Sequence, residues 1–165
     1  EKIATSDWNE AQDAGRSLAA GTEWLVQRHP EHAALIRAFY DRWVEMLGGP
    51  IAGTVTILKE LFAKDTHPIY ALTNWSAETF PIAQERYDFL SWFKGTLVSG
   101  AEGMRKPDPR FFRLLTSRYG IDLETAIFID DSLRNVKGSE AVGMRALHFT
   151  SPEQLRKDLQ TLKLL

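Results

Sequence analysis

Apolar residues recur along this chain in two rhythms, and the change falls near Gly48-Gly49-Pro50. Before that point the spacing is helical. It predicts a short helix over 8–14 and a second over 23–29, with Thr22 as its N-cap. Pro30 then opens a longer helix reaching 47, along which Leu35, Ile36, Phe39, Tyr40, Trp43, Val44 and Leu47 fall three and four apart. That stripe reads as core. Gly48-Gly49-Pro50 ends the helix and reads as a hinge or linker.

From Ile51 onward short apolar strands alternate with helices. The pattern predicts a helix over 54–63, a buried strand over 69–73 and a helix from Ser76 towards Tyr87. A short strand follows over 96–99. Asp108-Pro109 is a cap plus first-turn proline opening a helix to 119, which Gly120 stops. A second buried strand over 126–129 leads to a helix over 133–142, ended by Gly143. A strand over 145–149 precedes a last helix begun by Ser151-Pro152-Glu153. Strands and helices alternating at this spacing predict an α/β fold, with a parallel sheet covered by helices on both faces. The chain divides into a helical subdomain at 1–48 and an α/β core at 49–165.

Composition narrows the function classes. The 165 residues are 44% hydrophobic and 25% charged, as in ordinary globular proteins. A net charge of −2 and a pI near 6.1 give no electrostatic case for nucleic acid or an anionic membrane. No apolar run approaches a membrane span, and the segment Glu1 to Asp7 has no signal-peptide apolar region. The absence of cysteine removes disulfides, thiolate metal sites and a cysteine nucleophile, and suits a cytoplasmic setting.

In open parallel sheets, ligands bind beyond the carboxyl ends of the strands. The residues there are Thr73-Asn74 after one strand and Asp130-Asp131-Ser132 after another. Between them, past a loop with Gly100 and Gly103, comes Lys106-Pro107-Asp108-Pro109. Each fragment also suits a simpler role: Thr73-Asn74 a strand-end turn, Lys106 a solvated lysine, either aspartate a helix cap. Two adjacent carboxylates repel each other and gain from a cation. Order and setting raise the set above its parts.

Ala71-Leu72-Thr73-Asn74-Trp75-Ser76 resembles motif II of the haloacid dehalogenase superfamily. Lys106-Pro107-Asp108-Pro109 resembles its motif III, and Phe128-Ile129-Asp130-Asp131-Ser132-Leu133-Arg134-Asn135-Val136 its motif IV. Ala141-Val142-Gly143-Met144 is similar to the turn that follows. The branch it most resembles holds glucose-1-phosphate phosphatases and the phosphatase domain of soluble epoxide hydrolases. The resemblance implies a Rossmann-like core with residues 1–48 as a helical cap that reads the leaving group. It implies a Mg²⁺-dependent phosphatase acting on small phosphomonoesters through an aspartyl-phosphate. The Thr73 hydroxyl and Asn74 backbone would hold phosphoryl oxygens, and Lys106 would neutralise charge on the phosphoryl group and the nucleophile. Asp131 would ligate Mg²⁺, with Asp130 behind it or as an alternate ligand, and Asn135 would position its neighbours. The partner would be a small phosphorylated metabolite, with no nucleic acid and no membrane. Phosphoryl transfer is largely positioning and charge stabilisation, which this set can supply.

Two carboxylates where a cation would sit favour phosphate over haloacid substrates; a dehalogenase or a non-catalytic phosphate-binding or partner-binding domain are the alternatives. Arg105 is expected to point to solvent. Trp8, Asp13 and Arg16 are candidates to face the pocket, but the favoured reading packs Trp8 between helices and leaves Asp13 and Arg16 solvated. The histidines (His29, His32, His67, His148) show no metal-ligand spacing, and His29 and His32 are expected to lie exposed around Pro30. The family's motif I is a first strand ending in Asp-x-Asp, and nothing here fits it: Asp7 follows no apolar strand, and Asp13 lies in a helical pattern. The chain is therefore expected to lack the nucleophile and the middle strand of the sheet, to belong to a longer natural protein, and to be inert alone.

Overall fold

The computed structural model describes residues 3–165; Glu1 and Lys2, assigned above to the helical subdomain, lie outside the described residues. The first helix, α1 (Ser6–Asp13), is capped by Thr5, whose hydroxyl accepts from Trp8 N–H. Helix α2 (Leu18–Val26) is capped by Ser17, not Thr22. Thr22 is buried inside that helix, so packing takes the residue that local propensity offered as a cap. The long third helix breaks up. A 3₁₀ turn at Pro30–His32 leads into α3 (Ala33–Asp41), and Arg42 (φ −112°, ψ 19°) interrupts it before a second 3₁₀ turn at Trp43–Met46.

The three helices enclose a cluster of Trp8, Leu25 and Ile36 with Phe39 and Tyr40 against it. Trp8 packs between them as expected, its indole N–H donating to Gly21 O at 2.8 Å and its ring meeting Phe39 edge-on at 5.2 Å. Leu35, placed in the core stripe, is instead 75% exposed, because α3 is too short to bury both flanks of that stripe.

The rest follows the predicted alternation: α4 (Ala52–Lys64), β1 (Tyr70–Thr73), α5 (Phe80–Arg86), β2 (Gly95–Val98), α6 (Ser99–Glu102), α7 (Pro109–Tyr119), β3 (Ile127–Asp130), α8 (Leu133–Glu140), β4 (Arg145–His148) and α9 (Pro152–Thr161). Asp108 and Ser151 cap α7 and α9 through side-chain acceptors, and Gly120 ends α7 with φ +69°. The loop expected around Gly100 folds as α6.

Both strand pairs are parallel. Leu72 of β1 lies opposite Leu97 of β2, and Ile129 of β3 opposite Leu147 of β4. The parallel strands form two two-stranded ladders among the described residues, so β1 and β3 each keep one unpaired edge. Helix α7 joins them. Its Phe111, Phe112 and Leu115 share one core with Leu97, Phe128 and Met144, and Phe112 meets Phe128 edge-on at 5.3 Å. Phe111 and Phe112 are fully buried, each contributing roughly 1.5–3 kcal/mol of apolar transfer. The strands are less buried than predicted: all four residues of β1 are half-buried and Ile129 is 37% exposed. A third cluster, of Ile57, Leu155 and Leu159, binds α4 to α9.

Candidate active site

The carboxyl ends of β1 and β3 lie close enough for one lysine to touch both. Lys106 Nζ donates to Leu72 O of β1 at 2.6 Å and to Asp130 Oδ2 of β3 at 2.7 Å. The pair is buried, with side chains 9% and 6% exposed, and Nζ lies 5.4 Å from the Phe128 ring centroid. In such surroundings removing either partner would leave the other without its match.

The loop bearing Lys106 is fixed from below. Asn74 Nδ2 donates to Lys106 O at 3.0 Å, and Lys106 N–H donates to Asn74 Oδ1 at 2.8 Å. The Lys106–Pro107 peptide is cis. The loop after β1 is fixed by α6: the wholly buried Ser99 hydroxyl accepts from Trp75 N–H at 2.9 Å, and Gly100 N–H donates to Trp75 O at 3.0 Å. No room exists for a side chain at Gly100, where a Cβ would fall 2.4 Å from Ala77 N.

Asp130 is held on both carboxylate oxygens. Besides Lys106 it accepts from Ser132 N–H and Asn135 Nδ2, both at 2.9 Å on Oδ1. Asn135 thus orients Asp130, while its own Oδ1 is buried without a partner. The Asp131 side chain takes no part in this network. The residue is exposed, and His148 Nε2 donates to its carbonyl at 2.9 Å. Among the described residues neither the Asp131 carboxylate nor the Thr73 hydroxyl has a hydrogen-bond partner. All six residues singled out after the strands (Thr73, Asn74, Lys106, Asp130, Asp131 and Asn135) therefore gather at one edge of the core. Asn74 adds a role that the sequence did not show, since its side chain serves the lysine loop.

The donor set suits Mg²⁺. The ion takes hard oxygen ligands, retains several waters and needs only one or two carboxylates besides a substrate phosphate. Asp131 and the orphan oxygen of Asn135 would supply such oxygens, whereas Asp130 is occupied by three donors. Among the described residues no group of three or more His, Asp or Glu side chains forms an all-protein metal cage.

The helical part meets this edge through α1. Arg105 does not point to solvent: its guanidinium pairs with Glu10, whose other oxygen takes Arg134 Nη2 at 3.0 Å. Asp13 and Arg16 are not solvated either. Arg16 donates to Gln12 Oε1 at 2.6 Å and to Trp8 O at 2.9 Å, a role within the helical packing. Asp13 is half-buried beside Arg105, Glu10 and the Ser76 N–H; burial raises its carboxyl above the ordinary value, against the pull of Arg105. Leu18 N–H donates to Glu78 at 2.7 Å, and Trp43 meets Trp75 at 6.0 Å. His29 and His32 flank Glu31 and are only partly exposed, less than expected.

A family model described as haloacid dehalogenase-like hydrolase matches residues 2–143. The chain belongs to the haloacid dehalogenase-like hydrolases. Among its relatives, a sesquiterpene phosphatase of Aspergillus oryzae is 36% identical over 101 residues, which cover 61% of this chain and 51% of the relative. A chloroplast flavin mononucleotide hydrolase of Arabidopsis thaliana is 33% identical over 105 residues, covering 64% and 42%. The chain thus spans about half the length, or less, of these curated relatives. A haloacid dehalogenase family enzyme from Bacteroides thetaiotaomicron, solved with magnesium and inorganic phosphate, shares the fold with a TM-score of 0.69 at 20% identity, covering 89% of this chain and 76% of that one. The α/β fold with parallel strands is therefore that of this hydrolase family. No helix among the described residues is long and apolar enough to cross a membrane.

Proposed function

We infer that the protein is a Mg²⁺-dependent phosphomonoester hydrolase of small phosphorylated metabolites, acting in the cytoplasm. One observation carries this reading: Lys106 is locked between Leu72 and Asp130, while the neighbouring Asp131 carboxylate and Thr73 hydroxyl stay unpartnered. A cation, a hydroxyl and a free carboxylate at one sheet edge suit a phosphoryl group and its metal.

In this reading Thr73 and the Asn74 backbone hold phosphoryl oxygens, and Lys106 offsets their charge. Asp131, aided by the Asn135 oxygen, would hold Mg²⁺, which would supply further charge neutralisation on the phosphoryl oxygens. Asp130 keeps Lys106 in place, so it serves the site through the lysine. Hydrolysis breaks the phosphorus–oxygen bond of the ester; water supplies the oxygen that phosphate retains and the proton that the leaving alcohol takes up.

The attacking carboxylate is assigned to an aspartate of an Asp-x-Asp segment in the longer protein, placed on a strand between β1 and β3 and forming an aspartyl-phosphate. The unpaired edges of those strands, both reached by Lys106, support the placement. Residues 1–48 act as the cap and 49–165 as the core, in keeping with their separate apolar clusters. The test is aryl phosphate hydrolysis by the full-length protein, run beside halide release from 2-chloropropionate. Phosphate release should fall on the order of 100-fold when Mg²⁺ is chelated. Halide release without metal, and no phosphate release, would overturn the reading.

A further inference from the structure

Glu10 holds a position that the phosphatase reading leaves without a role. Its carboxylate takes one arginine from each of two segments that build the site: Arg105, the residue before Lys106, and Arg134, the residue before Asn135. Glu10 and Arg105 are largely covered, at 28% and 23% exposure, while Arg134 is 54% exposed. One turn further along α1, Asp13 places a half-buried carboxylate in the vicinity of the same Arg105 and of Ser76, two residues beyond Asn74. The helical part therefore brings two carboxylates to the edge where phosphate is read. Glu10 also occupies both arginines, which would otherwise draw a second anionic group.

We propose that Glu10 is a specificity-determining residue: by occupying Arg105 and Arg134 it confines the enzyme to phosphomonoesters whose leaving alcohol is uncharged. The proposal rests on the phosphomonoester reading and deepens it. Arginine forks bind carboxylates and phosphates in two-pronged fashion, so a free pair beside the cradle would welcome a leaving group bearing either. With Glu10 in place neither arginine offers a free fork, and withholding that pairing discriminates against a charged leaving group. A neutral alcohol meets no such penalty, and its hydroxyls can donate to Glu10 and Asp13.

The experiment compares kcat/KM of the full-length protein for glycerol 1-phosphate and 3-phosphoglycerate, which differ by a hydroxymethyl group against a carboxylate, with an aryl phosphate as control. The wild type should prefer the glycerol ester. Glu10→Gln should shrink that preference by roughly tenfold or more, by raising turnover of the phosphoglycerate. Adding Arg134→Gln should abolish the gain, an outcome that a merely structural role for Glu10 does not predict. If Glu10→Gln does not fold, Arg134→Gln alone carries the test. That side chain is half-exposed, and its loss should sharpen the preference for the neutral ester. An unchanged ratio in Glu10→Gln, a wild-type preference for phosphoglycerate, or a weakened preference in Arg134→Gln would overturn the proposal alone. No turnover of any of the three esters would overturn the phosphatase reading and the proposal with it.

Discussion

The Asn74 side chain satisfies both backbone polar groups of Lys106, donating to its carbonyl at 3.0 Å and accepting its N–H at 2.8 Å. The two residues come from different segments, so this amide clamp sets the height of Lys106 above the strand ends. Asn74→Ala leaves both backbone groups without their partner and should destabilise the fold by about 1–3 kcal/mol. The denaturation midpoint in urea reads this directly. An unchanged midpoint would show that the clamp is idle.

The buried Lys106–Asp130 pair should be strongly coupled. Lys106→Met strands a carboxylate that is 6% exposed and should cost about 3–5 kcal/mol. Changing both residues, Lys106→Met with Asp130→Asn, removes the stranded charge and should recover part of that loss. A double-mutant cycle by chemical denaturation measures the coupling; simple additivity would contradict it.

Asp13 gives a pH signature. Burial raises its carboxyl above the ordinary 3.8, with Glu10 adding to the effect and Arg105 opposing it. Below the unfolded value both states are protonated and stability is whole. As pH rises the unfolded chain releases its proton first, and stability is lost until pH passes the raised folded value. Ionised Asp13 therefore works against the fold at neutral pH. Asp13→Asn should unfold at a higher denaturant concentration than the wild type at pH 7, with the gap narrowing below the ordinary aspartate range. Equal midpoints at pH 7 would oppose this account.

Gly138 lies in α8, where alanine ordinarily favours the helix by about 1 kcal/mol. Here a Cβ would fall 2.6 Å from Pro107 Cβ and 3.0 Å from Pro107 O. Gly138→Ala should therefore destabilise, and it should push on the loop that carries Lys106. Thermal melting of the variant checks the sign; a higher melting temperature would mean the loop yields freely.

What the sequence disclosed follows from the range of each interaction. The caps at Asp108 and Ser151 were legible because a cap needs only its own next turn. Thr73, Lys106 and Asp130-Asp131 were legible because strand ends are marked locally and the fold brings strand ends together. Thr22 misled, since it satisfies the local rule for a cap yet is buried by its neighbours, and the unremarked Ser17 takes the role. Arg105 was unreadable for another reason. Its partner Glu10 is 95 residues away, and nothing near either residue announces the pairing. The side-chain role of Asn74 was hidden likewise, because its partner is a backbone 32 residues on.

The division of labour proposed for two adjacent aspartates is the centre of the account: Asp131 would meet the metal, while Asp130 holds Lys106. The most direct test is Mg²⁺ titration of aryl phosphate turnover by full-length Asp131→Asn and Asp130→Asn, with the urea midpoint of each. Asp131→Asn should raise the Mg²⁺ concentration for half-activation by roughly tenfold or more while the midpoint stays put. Asp130→Asn should lower the midpoint through its stranded lysine. Wild-type Mg²⁺ dependence in Asp131→Asn would contradict the account.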